Sequence, residues 1–335
     1  MSIRNAVALS LNYRRRRLDG WARRLLGRTP SPDLETYFLM RQDNQTADAK
    51  YQAGKFWQGI NNEFEDFLWA GALTNLRNEY FNRRFAGPEP ASRQVWRALL
   101  WLYYQHLQTI DTDGFLKTAV EPSAGGTSDQ EIIDGRPMSL DFLQSVEEVY
   151  RIREAWALAG ETGSPSVIVE LGGGYGRLAY VCRKMLPECT YVILDLPEAL
   201  ICANSWLNRV LPGECVAYAD ARRRTTLDRE QLQSGKVWLL GAHQIEAIAS
   251  KSIDAFVNIY SFAEMPRQAI DNYFAQIDRI TQGSLYSKQR KLEDNRIDGV
   301  KVSSDIYPIP QHWRLLFHRT SSLYEAFFEA GYGTA

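Results

Sequence analysis

The chain lacks any apolar run close to the roughly 18 residues that mark a membrane-spanning helix. Cysteine is scarce: Cys182, Cys189, Cys202 and Cys215 show no CxxC spacing. They read as reduced core residues of a cytoplasmic protein. A surplus of either charge is also missing, with 39 Lys and Arg against 40 Asp and Glu, so no global field points to nucleic acid. There is no internal repeat and no low-complexity tract. What is left is a 335-residue chain with room for about two domains and a large buried core.

Glycine is concentrated in one place. The stretch "SVIVELGGGYGRLAYVC", Ser166 to Cys182, packs four glycines into five positions behind an apolar run. Val167, Ile168 and Val169 form the β-branched run of a buried parallel strand. Leu178, Val181, Cys182 and Met185 recur at i, i+3, i+4 and i+7, one face of a helix. Gly172, Gly173, Gly174 and Gly176 therefore occupy a strand-to-helix turn. A ligand can approach bare backbone there, and the helix start offers unpaired N–H groups. Gly174-x-Gly176-x-x-Ala179 fits a dinucleotide-binding turn, with Asp195 about the right distance further on. Glu170 decides otherwise: a carboxylate beside the turn repels a pyrophosphate and attracts a cation, such as the ammonium and sulfonium of S-adenosylmethionine. A second strand, Tyr191 to Leu194, delivers Asp195 and Leu196 at its carboxyl end, where a carboxylate can accept both hydroxyls of a ribose. Pro197 then opens a helix with Leu200, Ala203, Trp206, Leu207 and Val210 on its apolar face.

Residues 1–30 are charge-biased. "IRNAVALSLNYRRRRLDGWARRLLGR" holds eight arginines and one acid, Asp19, with leucine and tryptophan interleaved. It reads as a basic arm, either solvated or lying as an amphipathic helix on anionic lipid. From about Ser31 to Ile110 the pattern is helical, with one stripe formed by Phe56, Trp57, Ile60, Phe64, Phe67 and Leu68. Ser92 is the expected N-cap of a further helix carrying Val95, Leu99, Leu102, Tyr103, His106 and Ile110 on one face. "EPSAGGTSDQEIIDGRPMS", Glu121 to Ser139, is too long for a plain connector. It is expected to be a mobile or functional loop that closes over the cofactor, with Arg136 binding the methionine carboxylate. A helix follows from about Leu140 to Leu158. The expected organisation is a basic arm (1–30), a helical cap with its lid loop (31–138) and an α/β domain (139–335).

Within that domain "KVWLL", Lys236 to Leu240, predicts the third strand. It is preferred to "GECVAYAD" because about fifteen residues to the next strand suits a short αβ unit. His243 and Gln244 then stand on the following loop, beside the adenine. Asp254 to Ile259 is the fourth strand; Ile270, Tyr273, Phe274 and Ile277 mark a helix; "GSLYSKQ" supplies a fifth strand. The alternation predicts an α/β fold with a Rossmann-like, doubly wound, mostly parallel sheet whose ligands sit outside the carboxyl ends of the strands. The glycine turn, Asp195, His243, Gln244, "YSFAEM" and Lys288 share that rim.

"VELGGGYGRL" together with "ILDLP" resembles the class I S-adenosylmethionine-dependent methyltransferases. "VNIYSFAEMP", with "KFWQGIN" and "NEYFN" upstream, is similar to the sugar O-methyltransferases of bacterial polysaccharide loci. The likeness spans about Lys55 to Trp313. Where that family tends to carry a proline before His243, this chain has Gly241 and Ala242. The resemblance implies S-adenosylmethionine as cofactor, a sugar or glycan hydroxyl as acceptor, and a side chain that takes the acceptor proton. Glu264, just after the fourth strand, is the first candidate for that base. His312, in "PIPQHWRLL", is the second, on the strength of its ordinary pKa. Tyr260 and Trp313 are candidates to stack on a sugar face. The carboxylates of "KLEDNRIDG" read as a solvated loop rather than a metal site.

Overall fold

The computed structural model describes residues 15, 18–61, 64–77, 93–126, 130–232, 235–295, 297, 299–303 and 306–334. Ser92, "NEYFN" and most of the arm before Leu18 lie outside them. The described residues divide into two compact units, one drawn from 1–38 and 60–144, the other from 39–59 and 145–335.

Helices dominate the first unit and its borders. Helix α1, Pro32–Thr46, begins with proline in its first turn, acids at Asp33 and Glu35, and Ser31 Oγ accepting the Leu34 N–H at 3.3 Å. The expected single stripe is divided between α2, Lys55–Asn61, and α3, Phe64–Trp69. Helix α4, Arg93–Ile110, exists as expected, but its buried face is Leu100, Tyr103, Tyr104 and Leu107. Val95 and Leu102 are exposed instead. Two apolar stripes coexist on α4, and periodicity alone does not say which one faces a core.

The segment Glu121 to Ser139, described at 121–126 and 130–139, is not all loop. It contains a hairpin, β1 Glu131–Ile133 and β2 Arg136–Met138. Asp134 (φ 49°) and Gly135 (φ 77°) turn it, the two positive φ angles that a tight hairpin of this twist requires. Tyr104 Oη donates to Asp134 at 2.7 Å, and the buried Glu121 pairs with Arg77 and accepts the Ser139 hydroxyl at 2.8 Å. Arg136 donates to the Ala119 carbonyl at 2.9 Å within this same unit. Helix α5, Leu140–Leu158, follows.

The second unit holds a seven-stranded sheet. Its strands are β3 Val167–Leu171, β4 Thr190–Asp195, β5 Val237–Gly241, β6 Ile253–Ile259, β7 Thr281–Arg290, β10 Arg314–Thr320 and β11 Phe327–Gly333. A separate hairpin pairs β8, Leu292–Asn295, with β9, Val300–Ser303. The sheet order is β5-β4-β3-β6-β7-β11-β10, with the first five strands parallel and β11 antiparallel to both neighbours. This is the Rossmann-like, doubly wound, mostly parallel sheet that the motifs imply. Val237–Gly241 is the third strand, while Cys215, in the rejected alternative, makes only an isolated bridge to Val237.

Alternation along the strands sorts side chains onto the two faces. Val167, Val169, Leu171, Val192, Leu194, Trp238 and Leu240 join one core. On the same core sit Ile270, Tyr273, Phe274 and Ile277 of α8, Arg267–Ile280. The opposite face receives α6, Arg177–Met185, and α7, Pro197–Val210, whose apolar sides are buried. Residues 39–59 belong with this sheet because their polar side chains are committed to it. Asp43 accepts from Tyr218 Oη and from Arg222 Nε, each at 2.8 Å, and Tyr51 Oη donates to Glu246 at 2.7 Å.

Charge is buried at one end of β7. Lys288, expected on the rim, is fully buried beneath it, 3.3 Å from Glu148 of α5 and 3.9 Å from Glu329 of β11. Arg177 meets Glu148 at 2.9 Å. Burial alone would lower the Lys288 pKa; Tyr260, Glu148 and Glu329 outweigh it and hold the ammonium above its ordinary range. All four cysteines are free. Among the described residues no helix is long and apolar enough to cross a membrane.

Candidate active site

The strand order reverses at β3, with β4 on one side and β6 on the other, and this switch point is where an open α/β sheet leaves a crevice. The glycine turn sits there. Gly172 continues the strand for one more bond, donating to the Leu194 carbonyl at 2.8 Å, and then turns with φ 80°. A Cβ on Gly172 would lie 2.5 Å from the Ser261 side chain, so the turn and the loop after β6 are in contact through bare backbone. Asn258, at the end of β6, fixes that contact. Its Nδ2 donates to the Leu171 carbonyl at 2.9 Å and to Ser261 Oγ at 2.6 Å, while Gln289 donates to its Oδ1 at 2.7 Å.

Two carboxylates flank the turn on one face. Glu170 pairs in register with Ile193, and Asp195 follows two residues later, so both project to the same side of the sheet. Glu170 is buried and accepts a hydrogen bond from Tyr191 Oη at 2.9 Å. Burial pushes its pKa up to about 8, against the downward pull of the Tyr191 hydroxyl and the Arg177 charge. Asp195 accepts the Gly174 N–H at 2.9 Å and the Leu196 N–H at 2.7 Å. It thereby ties the glycine turn to the end of β4. Burial raises Asp195 to about 7, with those two N–H groups opposing. Gly173 lies inside the turn, and Gly176 caps α6 with φ 88°.

After β5 the chain makes a 3-10 turn, Ala242–Ala247. Gln244 is buried, with its amide oxygen accepting the Gly241 N–H at 2.9 Å and its amide nitrogen donating to Ala221 at 3.4 Å. Those bonds shape the loop and occupy the amide expected beside an adenine. His243 is half-buried, and burial holds its pKa below the ordinary imidazole range despite the pull of Asp43. A Cβ on Gly241 would stand 2.7 Å from His243 Cε1, so the imidazole packs closely over this part of the loop.

Glu264 ends the 3-10 turn Phe262–Glu264 that follows β6. Trp57, 207 residues earlier, donates its indole N–H to Glu264 Oε2 at 3.1 Å. Burial pushes Glu264 up to about 7; the Trp57 bond opposes this, and the Asp195 charge adds to it. A carboxyl at that value is part ionised at neutral pH, as a general base has to be. Tyr260, just before, has φ 64°, a strained conformation for an aromatic residue, with its ring 4.4 Å from that of Phe327.

His312 is elsewhere. It precedes β10, whose first residue, Arg314, pairs with Gly333, and Gly333 pairs with Ser284 near the start of β7. The rim is at the other end, where Ile259 pairs with Lys288. Four residues of strand separate those levels, about 13 Å. His312 therefore lies at the amino-terminal edge of the parallel strands, mostly exposed and 2.9 Å from Asp278. Trp313 is buried there too, donating to the same carboxylate at 2.8 Å. Neither residue shares a rim with Glu264. Among the described residues no group of three or more His, Cys, Asp or Glu is placed to hold a metal.

No family model matches the chain. A stretch of 59 residues is 39% identical to acetylserotonin O-methyltransferase of Bos taurus, covering 17% of this chain and 17% of that enzyme. The match thus spans well under two-thirds of the bovine protein. Among solved structures, the N-methyltransferase NodS of Bradyrhizobium japonicum with S-adenosyl-l-homocysteine aligns over 69% of this chain and 97% of its own, at 16% identity and a TM-score of 0.36. The plantazolicin methyltransferase BpumL, in complex with SAH, aligns over 71% and 95% at 11% identity and a TM-score of 0.38. Geranyl diphosphate methyltransferase in complex with GPP and sinefungin aligns over 58% and 82% at 13% identity and a TM-score of 0.34. Superpositions this loose carry nothing about the reaction; strand order and register are what define the fold here.

Proposed function

We propose that this chain is an S-adenosylmethionine-dependent O-methyltransferase acting on a sugar hydroxyl. The observation that carries the reading is the placement of three carboxyl groups on one rim. Glu170 and Asp195 flank the glycine turn, and Glu264 stands on the loop latched to that turn. The donor set fits the cofactor: carboxylates suit an ammonium and a ribose, whereas Glu170 beside the turn disfavours a pyrophosphate. Glu170 would hold the ammonium, Asp195 the ribose hydroxyls, and Leu196 with His243 the edge of the adenine. When bound, the cofactor supplies an electrophilic methyl group.

The chain's own work is to orient the acceptor and remove its proton. A sugar hydroxyl is a weak nucleophile, so a positioned base contributes about 10²–10⁴-fold. Glu264 Oε1 takes that proton while Oε2 stays hydrogen-bonded to Trp57, which keeps the carboxylate aimed. The sugar as acceptor class rests on the resemblance carried by "VNIYSFAEMP" and "KFWQGIN"; the second of these motifs supplies Trp57 to the base. Transfer of labelled methyl from S-adenosylmethionine to a panel of free, nucleotide-linked and lipid-linked sugars tests the reading. Glu264→Gln should lower turnover by about 10²-fold or more while cofactor affinity is nearly unchanged. Turnover within a fewfold of wild type would remove Glu264 from the chemistry.

A further inference from the structure

The one charge-polarised part of the chain is not used by the site described above. Within residues 1–28 there are eight arginines and a single acid, in a chain whose formal net charge is −1. Residues 18–25 form a helix. Leu18, Trp21, Leu25 and the following Leu26 are 65%, 49%, 63% and 75% exposed. At 100° per residue Leu18, Trp21 and Leu25 fall within about 60° of one another, one narrow stripe.

The rest of the unit fixes the other side of this helix. Gly20 lies roughly opposite the stripe and is buried; a Cβ there would meet the Asp66 carbonyl oxygen at 1.8 Å. Arg24 comes within 3.5 Å of both Glu65 and Asp66. The helix is therefore seated by its small-residue side and turns leucine and tryptophan outward. An amphipathic surface helix normally does the reverse. Arg24 borders the outward stripe and is partly exposed, Arg15 is exposed one turn before it, and Arg23, on the seated side, reaches back to Asp19 at 2.9 Å.

We infer that residues 18–26 form a docking surface for an anionic lipid bilayer. Leucine and tryptophan on an exposed stripe bordered by arginine match the interface between acyl chains and acidic headgroups. The excess of arginine over acid selects a negatively charged partner and disfavours a neutral one.

Vesicle flotation with the full chain tests this. The protein should float with vesicles of phosphatidylcholine mixed with phosphatidylglycerol, stay behind with phosphatidylcholine alone, and be released by high salt. The double substitution Trp21→Ser, Leu25→Ser, at exposed positions, should keep the wild-type melting temperature and lower partitioning by about tenfold or more. Equal binding to both vesicle types, or undiminished binding by the double variant, would overturn the inference. A concentration-dependent dimer abolished by the same substitutions, with no vesicle binding, would overturn it in favour of a second copy of this chain.

Discussion

Glu264 is set by two opposed influences. Burial lifts its pKa to about 7, and the Trp57 indole N–H, a donor to the ionised form, restrains the lift. Because the donor favours the charged state, Trp57→Phe should raise the pKa further. A hydrogen bond to a charged group is worth about 1.5–3 kcal/mol, or roughly one to two pKa units. Turnover should therefore rise with pH through about 7 in the wild type, and the same limb should lie about one unit higher in Trp57→Phe. A pH–rate profile measures this, and an unmoved limb would separate Trp57 from the base. Individual residues were unevenly legible in the sequence. Glu264 could be placed because it follows a recognisable strand. His312 could not be excluded, because only the antiparallel pairing of β10 and β11 carries it to the far edge. Trp57 read as one member of a helical stripe, since nothing local announces a partner 207 residues away.

The glycine turn, with β3 and β4 on either side, behaves as one element. Glu170 and Asp195 both have pKa values raised by burial, to about 8 and about 7 against ordinary values of 4.5 and 3.8. A group raised in this way holds its proton in the free folded protein at pH values where it would otherwise be ionised. A bound ammonium favours the ionised carboxylate, so cofactor binding near pH 7 should release about one proton from Glu170. Calorimetry in buffers of different ionisation enthalpy counts it. The count should fall toward zero above about pH 9 and in Glu170→Gln; a pH-independent count of zero would deny the linkage.

A second element is the ion cluster where α5, β7 and β11 meet. Lys288→Met would leave Glu148 and Glu329 buried without their shared ammonium, and breaking such a pair costs about 3–5 kcal/mol. Chemical denaturation should show that loss, and a change below about 0.5 kcal/mol would mean that Arg177, 2.9 Å from Glu148, and Arg151, 3.7 Å from Glu329, already neutralise both acids. The strands themselves were readable from β-branched runs and glycine breaks. The β1–β2 hairpin was passed over although Asp134-Gly135 is its turn signal. Lys288 does stand level with the rim, in register with Ile259, but strand position does not reveal that its ammonium is buried against Glu148 and Glu329.

At the scale of the molecule, the parallel half of the sheet followed from strand–helix alternation, and its ligand-binding edge followed from the switch point. The antiparallel β11 and β10 were not foreseen. Their sequences lack a clean period of two, with glycines at 331 and 333 and a register shift between Leu315 and Phe317. The division into units also escaped the sequence, because residues 39–59 look like the helices around them and join the sheet through Asp43, Tyr51 and Trp57. The account as a whole stands on the glycine turn being a site for a cationic nucleoside and not for a dinucleotide. Isothermal titration of the purified chain with S-adenosylhomocysteine and, separately, with NAD tests that most directly. The account predicts micromolar binding of S-adenosylhomocysteine, weakened by about 1–3 kcal/mol in Glu170→Gln, and no heat with NAD. Binding of NAD with none of S-adenosylhomocysteine would contradict it.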